Sequence, residues 1–210
     1  IKNKKKEIAY GYLINKELNN IDMLFNNSNK KILGIIGGNK IKDKLPLIDT
    51  LKNIDNSKIF IGGGLAKHFK SNNSNQNNLY LTKDGYGNKN LEDKPEYIGN
   101  LDDEKNLFDI GDETIIELKK LINEADIIFW NGALGIIEHD YYKLGSNIIA
   151  EYLLDDTQKN KKIIIGGGET STLFPKDSHI YISTGGGALL EYLENKILYK
   201  KNIVGLSIFE

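Results

Sequence analysis

Residues 161–174 read KKIIIGGGETSTLF, and this stretch carries the pattern that decides the fold. Its three isoleucines form an apolar run that does not alternate with polar residues, which is typical of a strand buried on both faces of a sheet. Glycines and a helix-like segment follow. The same order of strand, glycine turn and helix recurs at residues 34–40, 58–69 and 180–193, and at 126–138 with a single glycine first.

This alternation of strands and helices predicts the fold class. We expect an α/β protein with a doubly wound, Rossmann-like and mostly parallel sheet that is flanked by helices. Helical patterns between the apolar runs cover residues 46–52, 114–125, 146–154 and 188–195.

The repeated plan is interrupted between residues 71 and 106. The segment SNNSNQNN at 71–78 is polar and of low complexity. Residues 78–82 predict one short strand, and the remainder has turn signals and mixed charge without periodicity. We therefore expect a loop-rich insertion at 71–106 with little other regular structure.

Composition and charge exclude several classes of function. Lys+Arg 28 against Asp+Glu 29 leave a formal net charge of -1, which argues against nucleic-acid binding, because that needs a concentrated basic face. The absence of cysteine excludes disulfides, thiolate nucleophiles and cysteine metal sites. No apolar run approaches the ~20 residues that cross a bilayer. The phosphate-binding patterns G-x-x-x-x-G-K-[ST] and strand–G-x-G-x-x-G–helix are also missing.

The glycine turns indicate an anion-binding edge. In doubly wound sheets, ligands bind beyond the carboxyl ends of the strands, where these turns lie. Glycine lets the backbone approach a ligand closely, and helix N-termini present unpaired N–H groups to anions. Lys40 and Lys44 follow the turn at Gly37 and Gly38. Two alternatives stay open: the glycines only permit tight turns, and the lysines are merely exposed on a helix.

Six motifs, taken together and in order, resemble a known family. They are GGNKIKDK (37–44), IGGGLAKHF (61–69), FDIGDE (108–113), WNGALGIIE (130–138), GGGETS (166–171) and ISTGGGALLEYLENK (182–196). This set is similar to the nucleotide-binding, C-terminal half of phosphoglycerate kinase. The resemblance implies a single nucleotide-binding domain over residues 1–210. It also implies reversible transfer of a phosphoryl group between 1,3-bisphosphoglycerate and ADP in glycolysis.

The resemblance implies roles for individual residues as well. Lys40 would contact the transferring phosphoryl group, and Lys44 would hold nucleotide phosphates. Glu138 would accept hydrogen bonds from the ribose hydroxyls, and Gly63 and Gly64 would lie against the adenine. The other residues of the implied nucleotide site are Gly38, Asn39, Asn131, Gly132, Leu134, Gly168 and Thr170.

The implied cofactor is Mg²⁺ with ADP or ATP. Glu169 and Asp43 are the implied metal ligands, and carboxylates suit this ion. Gly185, Gly186 and Gly187 resemble the helix N-terminus that steadies the migrating phosphoryl group, where backbone N–H donors act on developing charge.

The sequence departs from the family pattern at several positions. Glu169 stands where the family has Asp, which moves the carboxylate by one methylene group. Ala133 and Asp112 replace family prolines, and the segment between Phe69 and Asp109 is shorter than in the family.

Two functional hypotheses therefore stay open. The chain is the nucleotide half of a divergent phosphoglycerate kinase, or it is a catalytically inactive kinase-like domain that serves as a protein-interaction or scaffold module. A third hypothesis, a dinucleotide-binding domain, would need the missing G-x-G-x-x-G turn.

The chain begins with Ile1 rather than Met, and we expect it to be a piece of a longer protein. On the first hypothesis, 3-phosphoglycerate or 1,3-bisphosphoglycerate binds through an N-terminal half that this chain lacks, so this chain alone is not expected to turn over. We expect a cytoplasmic protein, with an organelle as the alternative, and neither nucleic acid nor a membrane span.

Overall fold

Nine strands occur in the part of the chain that the computed structural model describes, residues 29–72, 78–101 and 104–183. In chain order they are β1 (Ile32–Ile36), β2 (Ser57–Ile61), β3 (Leu79–Leu81), β4 (Gly85–Asn88), β5 (Glu96–Ile98), β6 (Asn106–Ile110), β7 (Ile127–Asn131), β8 (Lys162–Gly166) and β9 (Tyr181–Ile182). Six of them form one sheet in the order β3-β2-β1-β7-β8-β9, and every adjacent pair in it is parallel. The chain moves outward from β1 to β3 and then returns to the other side of β1, which is the reversal of a doubly wound sheet. The predicted fold class is confirmed.

Helices cover both faces of this sheet. They are α1 (Ile41–Lys52), α2 (Gly64–Asn72), α3 (Asp112–Glu124), α4 (Leu144–Leu154) and the single turn α5 (Gly168–Ser171). One core layer packs α1 and α2 side chains, such as Leu47 and Phe69, against one face. The other packs Leu118 of α3 and Leu153 of α4 against the opposite face. Within the described ranges, none of the helices is long and apolar enough to cross a membrane.

The central strand β1 shows why the apolar runs do not alternate. All of its residues are buried, because Ile32 and Ile36 face the layer of α1 and α2, while Leu33 and Ile35 face the layer of α3 and α4. The prediction of strands buried on both faces is therefore confirmed.

The predicted helices agree with the structure except at their starts. Residues 46–52 lie in α1, but this helix begins at Ile41 and takes Pro46 into its interior. Proline is favoured at the first helical position, but here it lies in the second turn of the helix. Residues 114–125 and 146–154 lie largely in α3 and α4, which begin earlier, at Asp112 and Leu144.

Part of a second sheet lies within the segment predicted to be loop-rich. Strands β4, β5 and β6 pair antiparallel in the order β5-β4-β6, so the segment contains two short strands, β4 and β5, that the sequence did not predict. The short strand predicted at 78–82 is confirmed as β3. The pattern of β4 is hidden by Gly85 and Gly87. A Cβ at Gly85 would lie 2.1 Å from the carbonyl oxygen of Asp109 in β6, so this close pairing requires glycine. Glycine is not typical of strands, and the sequence therefore did not predict β4.

Candidate functional site

Glycine turns follow the carboxyl ends of β1 and β7, and the two turns lie against each other. The Gly37 N–H donates to the carbonyl oxygen of Asn131 at 3.0 Å, and the Gly38 N–H donates to that of Ala133 at 2.8 Å. Gly38 and Gly132 have φ values of 87° and 93°, in the left-handed region that favours glycine. Backbone hydrogen bonds therefore fix these turns to each other.

The turn after β8 is tied to the same place. Thr170, on α5, is buried, and its hydroxyl accepts a hydrogen bond from the Gly132 N–H at 3.1 Å. Asn131, at the end of β7, is also buried, and its Oδ1 accepts a hydrogen bond from Lys44 Nζ on α1. These contacts gather the ends of β1, β7 and β8 and the start of α1 into one cluster.

A cleft of about 480 Å³ opens among these turns; we call it the first cleft. Its lining combines glycine backbone with two ammonium groups and one carboxylate: Gly37, Gly38, Asn39, Lys40, Lys44, Asn131, Gly132, Gly167, Gly168, Glu169 and Thr170. A Cβ at Gly38 or Gly168 would meet no heavy atom within 4 Å, so the backbone there faces open space. Ammonium groups beside uncovered glycine backbone suit a phosphorylated ligand.

Burial lowers the pKa of Lys44 within the first cleft. Desolvation of its ammonium group lowers the pKa of Lys44, and Lys40 lowers it further, while Asp43 and Glu169 act in the opposite direction. An anion bound beside Lys44 would favour the charged form and offset the desolvation. The first cleft is therefore a place where a negatively charged ligand relieves an electrostatic penalty.

A second cleft, of about 240 Å³, adjoins the first and shares Gly38 and Asn39 with it. Its other lining residues come from the start of α2, from β6 and from the segment after β7: Gly63, Gly64, Lys67, Asn106, Leu107, Phe108, Ala133, Leu134, Gly135 and Ile136. Gly63 has a φ of 63°, and a Cβ there would lie 3.2 Å from the carbonyl oxygen of Leu134, so the two walls approach closely. A partly apolar slot next to a cationic cleft suits the base and the phosphates of a nucleotide.

Another cleft, of about 260 Å³, lies at the amino ends of the strands, near the starts of β1 and β2. Its lining includes Lys31, Asn56 and Leu121 but none of the glycine turns. Ligands of doubly wound sheets bind at the carboxyl edge, so we place the functional site at the first and second clefts.

Comparison with known proteins assigns the chain to a family. The family model described as phosphoglycerate kinase matches residues 1–84 and 70–196. The chain belongs to the phosphoglycerate kinase family. A phosphoglycerate kinase of Malacoplasma penetrans is 34% identical over 226 residues, which cover 89% of this chain and 46% of that protein. One of Levilactobacillus brevis is 33% identical over 221 residues, which cover 91% of this chain and 54% of that protein.

Solved structures of phosphoglycerate kinases have a similar fold. The enzyme from Coxiella burnetii matches with a TM-score of 0.74 at 25% identity, covering 88% of this chain and 56% of that chain. The enzyme from Pyrococcus horikoshii matches with a TM-score of 0.77 at 18% identity, covering 97% and 57%. The chain spans about half the length of the curated relatives it matches. It is therefore similar to a part of a phosphoglycerate kinase.

The structure brings most of the predicted site residues together. The first cleft contains Gly38, Asn39, Lys40, Lys44, Asn131, Gly132, Gly168, Glu169 and Thr170, and the second contains Gly63, Gly64 and Leu134. Glu138 is exposed and lines neither cleft. Gly185, Gly186 and Gly187, and the helix predicted at 188–195, lie outside the described residues. The roles that the family resemblance implies for these residues stay predictions.

The carboxylates of the first cleft offer one candidate metal ligand. Glu169 lines the cleft, whereas Asp43 is exposed and does not line it, although it is near enough to raise the pKa of Lys44. Among the residues with described positions, no group of three or more His, Cys, Asp or Glu side chains could hold a metal ion. Mg²⁺ commonly takes one or two carboxylates and completes its shell with water and substrate phosphates. Glu169, in a cleft that also contains Lys40 and Lys44, therefore fits this ion.

Two buried residues that support the second cleft are not predicted from the sequence. Ser146, on α4, accepts hydrogen bonds through its Oγ from the N–H groups of Leu134 at 3.0 Å and Gly135 at 3.1 Å. Asp109, within the FDIGDE motif, is 2% exposed and accepts a hydrogen bond from the Gly145 N–H at 2.8 Å. The only sequence signal was a carboxylate among the apolar residues of β6.

Proposed function

We propose that this chain is the ADP/ATP-binding part of a phosphoglycerate kinase, which transfers a phosphoryl group between 1,3-bisphosphoglycerate and ADP. The observation that carries the proposal is the single cleft in which Lys40, Lys44 and Glu169 lie among three glycine turns. The adjoining second cleft supports a nucleotide, rather than a simple phosphate, as the ligand.

The chemistry asked of the first cleft is positioning and charge neutralisation, because phosphoryl transfer needs little covalent chemistry from the protein. In this proposal, Lys40 contacts the phosphoryl group that is transferred. Lys44 holds the other nucleotide phosphates, and Asn131 orients its ammonium group. In this proposal, the open space beside Gly38 and Gly168 lets phosphate oxygens approach the backbone closely.

The second cleft takes the base against Gly63 and Leu134 in this proposal, and Glu138 takes the ribose hydroxyls. Mg²⁺, held by Glu169 and the nucleotide phosphates, would neutralise phosphate charge when bound. The phosphoglycerate is proposed to bind through a part of the protein outside this chain. The role of residues 185–187 and the cytoplasmic setting stay predictions.

The scaffold hypothesis has less support. Burial lowers the pKa of Lys44, which lies among the glycine turns of the first cleft. A domain that served only for protein contacts would not need an ammonium group in such a place. Membership of the phosphoglycerate kinase family favours the nucleotide-binding proposal as well.

The test is a calorimetric titration of the folded chain of 210 residues with MgADP. Lys40→Ala and Lys44→Ala should each weaken binding about 10- to 100-fold, because each removes a charge-assisted hydrogen bond to a phosphate. Lys42→Ala is the matched control, since Lys42 lies between them on α1, is exposed and lines neither cleft. Its affinity should equal that of the unmodified chain.

Absence of heat from the folded chain at roughly millimolar nucleotide would refute the proposal. That result would leave the inactive scaffold domain as the better hypothesis.

A further inference from the structure

Hydrogen bonds from residues behind the second cleft fix the position of one of its walls. We call residues 133–136, which follow β7, the wall segment. The Ile136 N–H donates to the carbonyl oxygen of Phe108 in β6 at 3.1 Å. The N–H groups of Leu134 and Gly135 both donate to Ser146 Oγ, at 3.0 and 3.1 Å. Ser146 is fully buried in the first turn of α4, so the position of that turn determines the position of the wall segment.

The first turn of α4 is in turn held by Asp109. Both carboxylate oxygens act as acceptors: Oδ2 accepts from the Gly145 N–H at 2.8 Å, and Oδ1 accepts from the Ile110 N–H at 2.9 Å. The Leu144 N–H is near enough to lower the pKa of this carboxyl as well. A Cβ at Gly135 would lie 2.2 Å from Asp109 Oδ1, so the carboxylate also packs directly against the wall segment.

We propose that Asp109 is a positioning residue for nucleotide binding: its carboxylate fixes the first turn of α4 and, through Ser146, the wall of the second cleft. The inference rests on the proposed function, in which the base occupies that cleft. Asp109 itself lines neither cleft, so its effect on a ligand is exerted through the wall segment.

The charged and neutral forms of the Asp109 carboxyl are close in free energy near neutral pH. Burial raises the pKa of Asp109 from 3.8 to about 7, although the N–H groups of Gly145, Ile110 and Leu144 lower it. In the described part of the chain, no charged side chain contributes to this shift. Ionisable residues on β4, α3 and α4, or just before them, include Asp84, Tyr86, Asp112, Glu113, Tyr142, Lys143, Glu151 and Tyr152.

Protonation of Asp109 would change the geometry that it supports. One oxygen would become a donor and would face an N–H group that is also a donor. Asp109→Asn imitates this change at every pH, because the amide NH₂ replaces one acceptor oxygen. If the wall segment is correctly placed in only a fraction of the molecules, the apparent affinity for the nucleotide falls in proportion to that fraction.

The experiment compares MgADP and magnesium tripolyphosphate as ligands of the unmodified chain and of Asp109→Asn. At about pH 8, Asp109→Asn should bind MgADP about tenfold more weakly. It should bind tripolyphosphate with unchanged affinity, since Ile110, Gly135 and Gly145, which Asp109 contacts, do not line the first cleft. The tenfold difference in MgADP affinity should shrink as the pH falls below about 7, where the unmodified Asp109 is protonated too. The ionisation of ADP is common to both proteins and cancels in this difference.

Asp84→Asn is the matched control. Asp84 is also 2% exposed, and it accepts hydrogen bonds from the N–H groups of Glu113 at 3.2 Å and Thr114 at 2.8 Å, at the start of α3. It therefore holds a different helix and no part of the wall segment. Asp84→Asn should lose stability but keep its affinity for MgADP. If Asp109→Asn fails to fold, Asp109→Glu, which keeps the carboxylate but displaces it, tests the same contact and should also weaken MgADP binding; Ser146→Ala tests the next contact, between α4 and the wall segment, and should do the same.

The outcomes separate this inference from the proposed function. No binding of MgADP by the unmodified chain overturns the proposed function and the inference with it. Normal MgADP binding by the unmodified chain, with equal affinity in the Asp109 and Ser146 variants, overturns the inference alone. An equal loss of MgADP and tripolyphosphate binding in Asp109→Asn also overturns it, because that loss reports general damage to the fold.

Discussion

Replacing Gly37 with alanine tests how the turns after β1 and β7 are joined. The added Cβ would lie 2.1 Å from the carbonyl oxygen of Ala133 and 2.6 Å from that of Gly132, whereas real Cβ atoms essentially never show contacts under 3.0 Å. Both contacts are with backbone, which cannot swing aside as a flexible side chain can. The two turns must therefore separate. The separation lengthens the hydrogen bonds donated by Gly37 at 3.0 Å and Gly38 at 2.8 Å.

The magnitude follows from these contacts. Overpacking a tight site costs about 1–3 kcal/mol, and each backbone hydrogen bond lost adds about 1 kcal/mol. Because two hydrogen bonds are affected, Gly37→Ala should lower the free energy of unfolding by about 3–5 kcal/mol. For a domain of this size, such a loss lowers the melting temperature by roughly 6–20 °C.

Thermal unfolding followed by circular dichroism measures this loss. Gly168→Ala is the matched control, because a Cβ there meets no heavy atom within 4 Å and its φ is not positive. Its melting temperature should change by no more than about 2 °C. An unchanged melting temperature in Gly37→Ala would refute the reasoning, and so would equal losses in the two variants.

Two further predictions concern buried polar groups. Thr170→Val leaves the Gly132 N–H without its acceptor, so the free energy of unfolding in urea should fall by about 1–3 kcal/mol. Thr170→Ser keeps the hydroxyl and should restore most of that loss; failure to do so would argue against this hydrogen bond. Burial raises the pKa of Asp109 to about 7 in the folded chain, against 3.8 when unperturbed, so between these pH values only the folded chain holds this proton. Stability should therefore fall by up to about 4 kcal/mol as pH rises from about 4 to 7, and Asp109→Asn should lack this component; parallel curves for the two proteins would contradict it.

The main sheet could be predicted because its central strands are buried on both faces. Such strands appear as continuous apolar runs, as at residues 163–165, and the glycine turns mark their ends. Parallel strands place all of their carboxyl ends at one edge, so the meeting of Lys40, Lys44 and Glu169 in one cleft follows from topology. No knowledge of side-chain packing was needed for these expectations.

The second sheet and the supports of the second cleft could not be predicted, because both depend on contacts between distant segments. At position 85 in β4 a glycine is needed, because β6 lies so close that a Cβ would not fit. Asp84 and Asp109 hold the starts of α3 and α4, with hydrogen-bond partners at Thr114 and Gly145 that are 30 and 36 residues away. An aspartate in a glycine-rich segment looks like a turn residue until the helix that it binds is in place.

Lys44, which is half-buried, lines the first cleft, and Asp109, which is buried, lies behind the second; in both cases burial alone disfavours the charged form. Burial lowers the pKa of Lys44 and raises that of Asp109, so in each case desolvation favours the neutral form. Other interactions must stabilise the charged forms. For Asp109 these are the N–H groups of Ile110 and α4; for Lys44 they are Asn131 and, on the proposed function, a nucleotide phosphate. A ligand that binds only the folded chain stabilises it by mass action. The groups that packing disfavours are therefore the ones that would couple nucleotide binding to the stability of the fold.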